Sequence, residues 1–114
     1  MPNCEVKIET SPRFDRELKR LSKKYASLSG EIEELEREVC QNPTMGTPIG
    51  HSCYKIRLAI KSKGKGKSGG ARVITYYYIH GATVYLLSIY DKAEQENISD
   101  ERINELLLGI KEIE

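Results

Sequence analysis

The chain has 114 residues, with 18 Lys and Arg against 17 Asp and Glu and a formal net charge of +1, and 39% of it is apolar. That length fits a single domain over residues 1–114 with a core of its own, and no apolar run reaches the roughly 20 residues of a membrane span. The N-terminal MPNCEVKIET has no apolar stretch of the kind a secretory signal carries, so a cytoplasmic protein is expected. Cys4, Cys40 and Cys53 are odd in number and widely spaced, which predicts reduced thiols. Together with His51 and His80 they form no zinc-like spacing, so no metal and no cofactor is expected.

Taken in chain order, Cys4 to Thr10 alternates polar and apolar residues, as a short strand does. Ser11-Pro12 follows as a helix cap and first helical residue. Phe14, Leu18, Leu21 and Tyr25 fall on one face of a helix, and after a break at Ser27 to Gly30 the residues Leu28, Ile32, Leu35 and Val39 repeat the spacing. Two equal stripes across a short link predict a helical hairpin, with the acidic run Glu31 to Glu38 on its solvated side. Asn42 to Gly50 reads as a Gly/Pro loop.

The period then changes to two. Tyr54, Ile56, Leu58 and Ile60 point one way, while Lys55, Arg57, Ala59 and Lys61 point the other. Ser62 to Gly70 alternates Lys with Gly and reads as a mobile loop. Ala71 to Ile79 is a strand, His80-Gly81-Ala82 a turn, and Thr83 to Tyr90 an apolar central strand. Ser99 caps a last helix with the stripe Ile103, Leu106, Leu107 and Ile110. The predicted fold is α+β: a small antiparallel sheet in the order β-α-α-β-β-β-α, the helices on one face and the other face open.

Charge is segregated along this chain. Residues 39–90 contain no Asp or Glu but seven cations: Lys55, Arg57, Lys61, Lys63, Lys65, Lys67 and Arg72. A patch of one sign attracts a polyanion whatever the net charge, and nucleic acid is the first candidate.

The ordered set Tyr54-Lys55-Ile56-Arg57-Leu58, the Lys/Gly loop, Gly69-Gly70-Ala71-Arg72-Val73-Ile74 and Tyr85-Leu86-Leu87-Ser88-Ile89-Tyr90-Asp91-Lys92 resembles the RelE/HigB toxins of bacterial toxin–antitoxin pairs. The resemblance implies a RelE-like fold and a small endoribonuclease that cuts mRNA, in many members on the ribosome, with a cognate antitoxin protein as partner and no small-molecule cofactor. It matches Lys55 and Arg57 to a basic pair on the second strand and Arg72 to the Arg opening the third. Some members carry a further Arg where this chain has Ala93, and a Tyr near the last helix where it has Ile98 and Ser99.

Cleavage of RNA by its own 2′-hydroxyl needs a base, cations for the phosphorane and an acid for the leaving oxygen. With both histidines in loops, the candidates are Lys, Arg and Tyr. Arg57 and Arg72 would hold the scissile phosphate, and the proton would be moved by Lys55, whose neighbours Arg57 and Lys61 on one strand face would lower the ammonium pKa, or by Lys92. Lys61, Lys63, Lys65 and Lys67 would bind RNA phosphates, mRNA or rRNA, and Tyr76 and Tyr90 would bind RNA through their rings. Two other readings stay open: a gyrase-inhibiting toxin of the ParE type, and a catalytically weak RNA-binding homologue. Solvated strand-face charges are the plainest alternative for the cations themselves.

Overall fold

The computed structural model describes residues 6–64 and 66–113. Cys4 and Glu5 of the predicted first strand, Lys65, and the side chain of Lys67 lie outside what is described. Strand β1 (Lys7–Thr10) leads into α1 (Pro12–Lys24) and α2 (Leu28–Gln41). Then come β2 (Thr47–Gly50), β3 (Cys53–Leu58), a helical turn α3 (Gly66–Gly69), β4 (Ala71–Tyr78), β5 (Thr83–Asp91) and α4 (Asp100–Ile113).

Among the described residues the five strands form one sheet in the order β1-β5-β4-β3-β2. The α+β class and the strands read from the sequence are present. Three features differ from expectation. The sheet is mixed, because β1 runs parallel to β5, with Ile8 opposite Val84 and Thr10 opposite Leu86. The predicted Gly/Pro loop supplies an additional edge strand, β2, paired antiparallel with β3 through Thr47 and Lys55. Gly46 permits that approach: at its φ of +101° a Cβ would lie 2.7 Å from the Lys55 carbonyl oxygen. The third difference is α4, which packs on the sheet face opposite the hairpin, so that face is not open.

Both faces are therefore covered, each by its own cluster. On the first, Phe14, Leu21, Leu28, Ile32, Leu35 and Val39 of the hairpin pack on Ile56, Val73, Leu86 and Ile89. On the second, Ile103, Leu106 and Ile110 of α4 pack on Cys53, Ile74, Leu87 and Tyr90. Each such side chain fully removed from water contributes about 1.5–3 kcal/mol. The helix starts are held as their sequences require. The Phe14 N–H donates to Ser11 Oγ at 3.1 Å, and the Arg102 N–H donates to Ser99 Oγ at 3.1 Å.

A register shift between Ile74 and Thr75 bulges β5 at Leu87. Glu17 of α1 takes up the donors this leaves, accepting from Ser88 Oγ at 2.8 Å and from the Ile89 N–H at 3.3 Å. Cys53 is a free, buried thiol, pushed up to about 11 by burial. Cys40 is disulfide-bonded, so the expectation of reduced thiols fails there. Among the described residues no helix is long and apolar enough to cross a membrane.

Candidate nucleic-acid interface

The antiparallel register places the cations. Arg57 on β3 is directly opposite Arg72 on β4, and Arg72 is opposite Tyr90 on β5. Residues opposite one another share a face, so Arg57, Arg72 and Tyr90 form one row across the sheet. Lys55 lies two residues from Arg57 on the same face, opposite Ile74. This is the face on which α4 packs, and Tyr90, at one end of the row, lies in the cluster beneath that helix.

The members of the row differ in depth. Arg57 is exposed and Lys55 half-buried. Arg72 is only 5% exposed, and its guanidinium donates to the Ala71 carbonyl at 3.1 Å and the Ser68 carbonyl at 3.2 Å. Tyr90 is 4% exposed, and its hydroxyl is buried without a hydrogen-bond partner among the described residues. Burial raises the Tyr90 pKa, with the nearby Arg72 charge opposing it, so the phenol keeps its proton. A ring this deep is no surface for stacking in this conformation. Tyr76 is half-buried with other rings around it: Tyr85 at 6.0 Å and near parallel, Tyr78 at 6.4 Å.

The other predicted residues fall near the open ends of β3 and β5. Lys92 donates its backbone N–H to the Gly70 carbonyl at 3.0 Å, which sets it beside the start of β4. Its ammonium turns into its own turn, 3.3 Å from the Glu96 carbonyl oxygen. His51 and His80 are exposed in turns.

The segment after β3 is folded rather than a loose Lys/Gly tether. Residues 61–63 form a 3-10 turn and 66–69 the helical turn α3. Its start is tied down at several points. The Lys61 N–H donates to Glu31 Oε2 at 2.8 Å, and the Ser62 N–H donates to Ser27 Oγ at 3.0 Å. Glu31 is therefore buried beneath the loop, unlike the solvated acid its place in the run Glu31 to Glu38 implies.

Lys61 is exposed. Lys63 is not, and its ammonium donates to Asp91 Oδ1 at 2.5 Å with the lysine side chain 9% exposed. Asp91 is fully buried. It also accepts from the Tyr25 hydroxyl at 2.6 Å and the Ala93 N–H at 2.9 Å, with Lys24 Nζ at 3.9 Å. The Lys24 and Lys63 ammoniums lie 5.3 Å and 5.8 Å from the centre of the Tyr25 ring.

Asp91 was not among the sequence candidates. Its one signal is position: it is the first acid after the acid-free stretch and ends an apolar strand. Burial alone would raise its pKa. The hydrogen bonds from Lys63, Tyr25 and Ala93, and the Lys63 charge, outweigh that and bring it down to about 2. The folded pKa is below the unfolded one, so this stability is present above pH about 4 and is lost as pH falls toward 2. Urea titrations across pH 2–6 should show about 2 kcal/mol of acid-labile stability that Asp91→Asn lacks. Parallel pH profiles for the two proteins would remove this role.

Residues 6–111 match the family described as RelE toxin of the RelE/RelB toxin–antitoxin system. The isolated Escherichia coli RelE toxin has a similar structure, with a TM-score of 0.59 at 18% identity over 92% of this chain and 98% of that one. An E. coli RelE mutant in the free state gives 0.57 at 19% identity, over 81% and 88% of the two chains. A chain of the intact E. coli RelBE toxin–antitoxin complex gives 0.58 at 17% identity, over 75% of this chain and 95% of that one. At such identities the structural matches speak for the fold, and the family match across nearly the whole chain speaks for descent: the protein is a member of the RelE toxin family.

Proposed function

We propose that this toxin is an endoribonuclease that cuts mRNA on the ribosome, and that a cognate antitoxin holds it in check. The observation that carries the reading is the row in which Arg57 and Arg72 are register partners, with Lys55 two residues along the same face. Arg57, exposed and always charged, would grip the scissile phosphate. Arg72 lies beneath, in surroundings where its charge is poorly screened, and would stabilise the phosphorane. Lys55, two residues from Arg57 on the same face and half-buried, is the better placed for proton transfer. Lys92 is held in its own turn and is the weaker candidate.

Lys61, exposed at the rim, would take an RNA phosphate, as would Lys65 and Lys67 of the same loop. An antitoxin partner is supported by the family and by the RelBE assembly. The test is induced expression followed by primer extension on translated messages. Discrete cuts that vanish with Lys55→Ala and Arg57→Ala support the reading, and intact messages under growth arrest refute it. A second reading, a weak RNA-binding homologue, is favoured by Ala93 and by the Arg72 and Lys92 heads being engaged with carbonyl oxygens. It predicts RNA binding without cuts. A supercoiling assay separates both from a ParE-type gyrase inhibitor.

A further inference from the structure

The buried Asp91 carboxylate touches three parts of the chain. Lys63 comes from the basic loop, Tyr25 from the end of α1, and the Ala93 N–H from the turn after β5. The loop is joined to the same corner by Glu31 and Ser27, and its far end by the Gly70 carbonyl, which accepts from Lys92. One carboxylate thus fixes both the root of the cationic loop and the turn carrying Lys92. We propose that Asp91 is the positioning residue of this site and that Lys63 serves as its clamp rather than as an RNA contact.

This deepens the RNA-cutting reading and rests on it. It divides the basic loop in two. Lys61 at the rim remains free to meet phosphate, while the Lys63 charge is spent inward. A cation that contacts no phosphate releases no counterion when RNA binds, and this distinguishes the two lysines experimentally. A merely structural ion pair would lower stability but leave turnover per folded molecule alone. A clamp that sets geometry lowers turnover, because displacement of catalytic groups by about 1 Å costs as much as 100-fold.

The experiment compares full-length wild type with Lys61→Gln, Lys63→Gln, Lys63→Arg, Asp91→Asn and the neutral pair Lys63→Gln/Asp91→Asn. RNA affinity is measured against salt, and cleavage per folded molecule at saturating RNA. Lys61→Gln should lower the salt slope by about 0.7, the value for one lost phosphate contact on a single strand, and Lys63→Gln should leave it unchanged. Lys63→Gln and Asp91→Asn should each reduce kcat by about 10- to 100-fold, the pair no further than either alone, and Lys63→Arg should recover part of the loss. A slope that falls by about 0.7 in Lys63→Gln, or single variants with wild-type kcat, overturns the proposal.

Hydrogen exchange tests the clamp without reference to RNA. Amides at 61–64 and 66–70 should exchange faster in Asp91→Asn and in the neutral pair, while those of β4 and β5 stay protected. Unchanged loop exchange overturns the clamp whatever the activity. If wild-type protein neither binds nor cuts RNA, the reading of function fails, and the exchange result alone decides whether Asp91 orders the loop.

Discussion

Arg57→Ala is expected to reduce message cleavage by about 10²–10³-fold, the usual loss when one fixed donor to a developing oxyanion is removed. The change should leave stability within about 0.5 kcal/mol, because Arg57 is exposed and surface substitutions rarely cost more. Arg72→Ala should reduce cleavage at least as far, and it should also lower the melting temperature. Its guanidinium donates to the Ser68 and Ala71 carbonyls, the second of these bonds buried, and truncation removes both. The two substitutions therefore separate what one arginine does from what the other does. Cleavage of translated message at the wild-type rate by Arg57→Ala, read by primer extension, would remove the row from the mechanism.

Gly70→Ala should be strongly destabilising. Gly70 closes the basic loop where β4 begins, and a Cβ there would lie 2.1 Å from the Leu58 carbonyl oxygen and 3.1 Å from Ala59 Cα. Those are backbone atoms at the end of β3 and just beyond it, so no side chain can turn aside to make room. Relief requires β3 and β4 to part, at the place where Arg57 opposes Arg72 and the Gly70 carbonyl receives the Lys92 N–H. The expected cost is about 3 kcal/mol or more, at the upper end for overpacking. Gly30→Ala is the control, since a Cβ at Gly30 meets nothing within 4 Å. Chemical denaturation of the two proteins gives the comparison, and similar midpoints would mean that β3 and β4 separate more easily than their pairing implies.

What could be read from the residues is what depends on local period and local chemistry. Phe14, Leu18, Leu21 and Tyr25 lie along one face of α1 because four apolar side chains at helical spacing leave no alternative. Lys55 and Arg57 share a face because successive strand residues alternate. Ser11 and Ser99 cap because a hydroxyl there meets an orphan N–H. The edge strand β2 was hidden because Pro48 and Gly50 read locally as loop, while an edge position tolerates both. The side on which α4 packs was hidden too, since its apolar stripe fits either face of the sheet equally well. The parallel direction of β1 depends on a partner 76 residues away. Lys63 was the least legible residue of all. Nothing in a Lys/Gly alternation distinguishes the one lysine that meets a buried Asp from its neighbours, and that Asp enters only 28 residues later.

The pairing of β1 with β5 has a consequence for how this chain comes into being. A first strand that bonds to the last strand stays an unfinished edge until residue 86 or so has been made and has emerged. Contacts so distant in the chain must close a long loop before they return any energy, which makes folding slow compared with a helical bundle of this size. In a growing polypeptide Arg57 can meet Arg72 before β5 exists, whereas Arg72 gains its other neighbour, Tyr90, only once that strand has emerged.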